Sequence, residues 1–202
     1  MHVVKLGGSL LDRSSELRDW LRTVAAGGGR VVVVPGGGPF ADAVRASQKR
    51  IGFDDRTAHR MALLAMEQYG WLLASMEPLL TPADSVVAIR EALRGHRVPV
   101  WMPFRSVANR EGIAASWEVT SDSLSAWLAR EIGAATLWVV KACPVPDEDP
   151  AQIAVRGLVD AAFPGYCVGA PFQVRVLNCR ESVRLATILS AEAVSPMDAR
   201  VP

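Results

Sequence analysis

The sequence predicts an α/β fold in which a mostly parallel sheet is covered by helices on both faces. Three observations point there. Strand-like and helix-like segments alternate from the first residues onward. The strand candidates are near-continuous apolar runs, as strands buried on both faces must be. Two of them, Val3-Val4-Lys5-Leu6 and Val31-Val32-Val33-Val34, run straight into glycines ahead of a helical pattern.

The first strand breaks at Gly7-Gly8. Ser15 to Ala26 carries Leu17, Trp20, Leu21 and Val24 at helical spacing, and Gly27-Gly28-Gly29 stops it before the second strand, which makes one right-handed strand, helix, strand unit. After Pro35-Gly36-Gly37-Gly38-Pro39 the chain reads as a helix over Phe40 to Ile51. A longer one covers Asp54 to Met76, whose face of Met61, Leu64, Ala65, Gln68, Leu72 and Leu73 is expected in the core. Asp84 to Leu93 is another short helix, and Val98-Pro99-Val100-Trp101 a buried strand. Thr120 to Ile132 repeats the helical spacing with Leu124, Trp127, Leu128 and Ile132. Gly133 ends it, and Thr136-Leu137-Trp138-Val139-Val140 follows as a strand. Pro144 to Pro171 is rich in proline, glycine and acidic residues and reads as a surface excursion, ahead of a last strand, Phe172 to Leu177, and a last helix, Ser182 to Leu189. One domain over residues 1–202 is expected, since single domains commonly reach this length.

The 22 lysines and arginines nearly cancel the 21 acids, leaving a formal net charge of +1 and none of the broad positive field of a nucleic-acid binder. The first residues enter a strand carrying Lys5 rather than a signal peptide, which predicts a cytoplasmic protein. Leu72-Leu73-Ala74-Ser75-Met76-Glu77-Pro78 ends the best apolar stretch short of the ~18 residues a membrane span needs. Cys143, Cys167 and Cys179 are widely spaced with no histidine to complete a zinc pattern, so they read as reduced, mostly buried thiols and no protein-held metal is predicted.

The chemistry is expected where strands meet glycines. Lys5 lies inside an apolar strand, where an unpartnered ammonium is costly, so its partner should be an anion. With Gly7, Gly8 and Ser9 it forms a candidate phosphate cradle, the glycines letting backbone approach the oxygens and the lysine neutralising charge that grows during transfer. Gly36-Gly37-Gly38 lacks the interval of a dinucleotide fingerprint and the Lys-Ser/Thr of a Walker A loop. It reads instead as an anion site at the N-terminus of the next helix, so two anion sites are expected. Thr120, Ser121 or Asp122 can each serve as an N-cap. Asp122 is also a carboxylate suited to holding two lysines, and Lys141, again at the end of an apolar strand, is the second.

Lys5-Leu6-Gly7-Gly8-Ser9, Pro35-Gly36-Gly37-Gly38, Thr120-Ser121-Asp122 and Val140-Lys141, in that order, resemble the amino acid kinase family, which includes uridylate, acetylglutamate and isopentenyl phosphate kinases. The resemblance covers most of residues 1 to 142. Within the family, Pro39-Phe40-Ala41-Asp42, Ala65-Met66-Glu67-Gln68-Tyr69-Gly70 and Gly157-Leu158-Val159-Asp160 are similar to the archaeal aminomethyl-furanyl-methyl phosphate kinases of methanofuran synthesis and their bacterial relatives in tetrahydromethanopterin-linked one-carbon metabolism. The resemblance implies a three-layer αβα sandwich and an ATP-dependent kinase using magnesium. Lys5 and Lys141 would stabilise the transferring group, Asp122 would orient them, and Gly7, Gly8 and Ser9 would hold donor phosphates. Gly36, Gly37, Gly38, Arg56, His59 and Thr120 would meet a small anionic acceptor. It also implies a homo-oligomer. The acceptor expected is a phosphorylated metabolite of the aminomethyl-furanyl type, with a nucleoside monophosphate or isoprenoid phosphate as the alternative.

Two departures support a second reading. Lys141-Ala142-Cys143-Pro144 replaces the Asp-Gly pair that many members use for nucleotide, and Leu177-Asn178-Cys179-Arg180 and Ser190-Ala191-Glu192-Ala193 replace C-terminal glycines. A chain that kept its anion loops without nucleotide contacts would be a non-catalytic small-molecule-binding or scaffold homologue. Asp147-Glu148-Asp149 reads as a solvated loop and is assigned no ligand.

Overall fold

The computed structural model describes residues 1–146 and 148–194, so Asp147 lies outside the described residues. His2–Leu6 (β1), Val31–Pro35 (β2), Leu80–Ala83 (β3), Val98–Trp101 (β4), Thr136–Lys141 (β5) and Gln173–Asn178 (β6) form a six-stranded sheet in the order β3-β4-β2-β1-β5-β6. All the pairings are parallel. The helices are Ser14–Ala26 (α1), Gly38–Ile51 (α2), Asp55–Met76 (α3), Val86–Arg94 (α4), Phe104–Val107 (α5), Ser121–Ile132 (α6), Pro150–Val155 (α7), Phe163–Cys167 (α8) and Ser182–Val194 (α9), with a 3-10 turn over Gly8–Asp12.

Successive strand residues face opposite ways, so each face of the sheet builds its own core. Val3, Val32, Val34 and Val139 pack with Leu63 and Met66 of α3 and Leu124 and Leu128 of α6. Val4, Leu6, Val33 and Val140 pack on the other side with Leu17, Trp20 and Leu21 of α1 and Leu185 of α9, and α3 runs on into this second core through Tyr69 and Leu73. Helix, sheet and helix layers follow, as the alternating sequence predicts. Trp20 adds a polar tie: its buried indole Nε1 donates to the Cys179 carbonyl at 2.7 Å.

Four expectations are corrected. The strand β3 escapes the sequence pattern because it is four residues with a proline inside; Pro82 is tolerated because β3 is an edge strand. The face of α3 is rotated from the one expected: His59, Leu63, Met66, Tyr69, Gly70 and Leu73 are buried, while Met61 and Leu64 are exposed and Leu72 only half-buried. Gly70 explains the rotation, since a side chain there would press within 3.3 Å of the Pro35 ring and 3.1 Å of Met102; the helix approaches the sheet on its glycine. The segment Pro144 to Pro171 is not merely a surface excursion. Asp149 and Gln152 close a capping box on α7, and Ile153, Val159 and Phe163 are buried in the first core. Of the thiols, Cys179 is buried, Cys167 half-buried and Cys143 exposed. No helix among the described residues is long and apolar enough to cross a membrane.

The strand order also places the site. From central β1 the chain steps to β2, passes to the edge at β3, returns to fill the gap with β4, and then crosses to β5 and β6 on the other side. Its direction therefore switches beside β1, and a crevice opens over the carboxyl ends of the strands there.

Candidate active site

Parallel pairing brings the two lysines together. Lys5 stands opposite Val139 in the β1/β5 ladder, and Lys141 lies two residues beyond Val139, so both side chains leave the same face of the sheet. That face is covered by α6, which carries Asp122 in its first turn. One carboxylate thus sits between two ammonium groups, with Lys5 Nζ 2.7 Å from Oδ1 and Lys141 Nζ 2.7 Å from Oδ2. Lys141 donates an aligned hydrogen bond. Lys5 is equally close to its own oxygen, and because an ammonium carries three N–H groups, those not turned to Asp122 are left for another acceptor.

Lys5 and Asp122 are each 4% exposed. Burial alone would raise the Asp122 carboxyl, but Lys5 and then Lys141 outweigh it and hold the group down at about 2. Lys141 moves the other way: burial first, then repulsion from Lys5, lowers its ammonium to about 8 against the pull of Asp122. Two cations share one anion, so a surplus positive charge faces the crevice.

The glycine loops divide their work. Gly7 N donates to Val140 O at 3.3 Å and Gly36 N to Leu6 O at 2.8 Å, so these two amides extend the ladder rather than meet a ligand. The amides of Gly8, Ser9, Gly37 and Gly38 make no hydrogen bond among the described residues. The loops also touch. A methyl group on Gly8 would overlap the Gly38 backbone, and one on Gly36 would come within 2.6 Å of Gly8 N. The two expected anion loops therefore adjoin backbone to backbone as one continuous nest. Gly8→Ala is expected to push the loops apart, costing about 1–3 kcal/mol of stability in denaturant unfolding and weakening anion binding in calorimetry.

A cavity of about 370 Å³ opens over this nest. Lys5, Gly8, Ser9, Gly37, Gly38, His59, Thr120 and Lys141 line it. Asp122 reaches it only through its lysines, Gly7 and Gly36 stand behind the wall, and Arg56 is exposed and outside the lining. His59 is 8% exposed, makes no hydrogen bond among the described residues, and has its pKa lowered by burial, so it presents a neutral imidazole. Thr120 differs from expectation: its amide and hydroxyl donate to Asp160 Oδ2 at 2.9 and 2.8 Å, which leaves no donor for an acceptor anion.

Asp42, Arg45, Asp55 and Trp117 also line the cavity and were missed in the sequence. The Arg45 guanidinium lies 4.4 Å from the centre of the Trp117 ring, whose Nε1 donates to Gln48 at 2.6 Å, so α2 and the stretch before α6 close one wall together. The spacing of Gly38, Asp42 and Arg45 along one helical face was the available signal; Trp117 sits in an irregular segment and gave none.

The model of the amino acid kinase family matches residues 1–156. Over 131 residues the chain is 28% identical to the [5-(aminomethyl)furan-3-yl]methyl phosphate kinase of Methanocaldococcus jannaschii, a match covering 64% of this chain and 60% of that relative's length. Among solved structures, uridylate kinase from Archaeoglobus fulgidus superposes with a TM-score of 0.70 at 20% identity, covering 92% of this chain and 95% of that one. An isopentenyl phosphate kinase superposes at 0.63 with 14% identity, covering 95% and 96%. At these identities the structures establish the fold, and the matched segment establishes the rest: the chain belongs to the amino acid kinase family.

Proposed function

We propose that the chain, as one domain, is an ATP-dependent phosphotransferase that moves a γ-phosphoryl group onto a small phosphorylated acceptor such as [5-(aminomethyl)furan-3-yl]methyl phosphate. The observation that carries this reading is the pair of ammonium groups held by one carboxylate at the wall of a cavity also lined by Gly8, Ser9, Gly37 and Gly38, whose amides make no hydrogen bond among the described residues. Such a set suits phosphate oxygens, and phosphoryl transfer needs alignment and charge neutralisation more than covalent chemistry.

In this reading Gly8 and Ser9 hold donor phosphates, Gly37 and Gly38 the acceptor, and Lys5 and Lys141 the group in flight. His59 donates to the acceptor phosphate as a neutral ring. An acceptor phosphate is already ionised, so no general base is required. No cluster of three or more His, Cys, Asp or Glu side chains among the described residues is placed to hold a metal. In this reading Mg²⁺ would be carried on the nucleotide phosphates, where it would neutralise oxygen charge. Exposed Met61, Leu64 and Trp71 along α3 support a homo-oligomer, and a cytoplasmic location goes with the reading.

The test combines binding with turnover. ATP with magnesium at 100 times its dissociation constant should stabilise the protein by about 2.7 kcal/mol. ADP should then form with one of the furanylmethyl phosphate, UMP or isopentenyl phosphate. No stabilisation by ATP and no transfer to any of the three would leave the non-catalytic homologue as the reading.

A further inference from the structure

The α6 helix begins without a cap of its own, since the Thr120 side chain makes no capping hydrogen bond. A carboxylate from far along the chain takes the position. Asp160 Oδ2 accepts from the amides of Thr120 at 2.9 Å and Ser123 at 3.0 Å and from the Thr120 hydroxyl at 2.8 Å, while Oδ1 accepts from the Ser123 hydroxyl. These contacts bracket Ser121 and Asp122. Asp160 lies past residue 156, where the family match ends, on the segment between α7 and α8 that is anchored through buried Val159 and Phe163.

We propose that Asp160 is a positioning residue for the lysine pair. It fixes the first turn of α6 so that the Asp122 carboxylate straddles both ammonium groups.

Two arguments support this. An N-terminal turn held on both flanks has little freedom to slide, and Asp122 must satisfy two partners on two different strands at once, so a small displacement of the turn would break one ion pair. The charged groups that act on Lys141 are Lys5 from β1, Asp122 from α6 and Asp160. The last two favour its charged form and the first opposes it. The arrangement also fills the positive end of the α6 dipole with a built-in anion, which directs substrate anions to the glycine nest instead.

The kinetic arm of the test rests on the phosphotransfer reading; the titration arm does not. Asp160→Asn keeps an acceptor oxygen and removes the charge, and Asp160→Ala removes both. In each, the lysine-selective NMR signal of Lys141 should titrate at lower pH than in the unaltered protein. With ATP and [5-(aminomethyl)furan-3-yl]methyl phosphate, kcat should fall about 10- to 100-fold in Asp160→Ala with the KM for ATP nearly unchanged, as for outer partners that orient a reacting group. The alkaline limb of the kcat profile should move to lower pH in Asp160→Asn. An unmoved Lys141 titration in both variants overturns the proposal and makes Asp160 a helix cap alone, even if Asp160→Ala is less stable. If the unaltered protein transfers phosphate to no acceptor, the phosphotransfer reading fails, and the titration still decides the role of Asp160.

Discussion

Lys5→Met should abolish phosphoryl transfer while leaving the fold at least as stable as the original. Removing one preorganised donor from a developing oxyanion typically costs about 100- to 1000-fold in turnover, and Lys5 presents its ammonium to the cavity from beside Asp122. The fold does not need it. Asp122 keeps its aligned partner Lys141 at 2.7 Å, the repulsion between the two ammonium groups disappears, and methionine fills a similar volume with an apolar stem. Steady-state kinetics and a urea titration check the two halves, and an active Lys5→Met enzyme would mean the transfer site lies elsewhere.

The same variant reports on pH. In the unaltered protein Lys141 has a folded value of about 8, below its ordinary 10.5. The unfolded chain therefore binds the extra proton between these values, and this group makes stability rise with pH across that window. Transfer should fall over the same window as the ammonium is lost. Activity and stability thus part company in alkali. Taking away Lys5 removes one cause of the lowering, so the residual Lys141 titration should move upward.

Asp122→Ala carries the largest expected stability effect. It leaves two ammonium groups in a nearly dry site with no counter-charge, and breaking a buried pair in this way costs about 3–5 kcal/mol. The sign with pH follows from the depressed carboxyl. A folded value of about 2 against an ordinary 3.8 means that the stabilisation is complete above pH 3.8 and is lost as pH falls through 2. The difference between the unaltered protein and Asp122→Ala should be widest at neutral pH and close in acid. A variant as stable as the parent at pH 7 would contradict the geometry of the site.

Much of this was legible in the sequence because it is written in local pattern. Valine runs ending in glycines gave the strands and the crevice, and a lysine inside each of two such strands gave the cationic pair. What stayed hidden depends on partners distant in the chain. Nothing near Thr120 shows that its donors turn to Asp160, forty residues on. The amides of Gly7 and Gly36 looked like ligand donors until the ladder claimed them. The buried face of α3 could not be read from hydrophobicity, since it is set by Gly70 pressing on Pro35 and Met102, while Leu64 and Trp71 are left outside.

Backbone meets backbone where Gly8 and Gly38 cross, and that contact limits how such a protein diversifies. A side chain gained at Gly8 is rejected until the Gly38 backbone has shifted, and one at Gly38 is strained by its φ of +54°, so changes there should be inherited together or not at all. New acceptors are then reached by another route, through Ala62, a small half-buried residue of α3 that borders the open space.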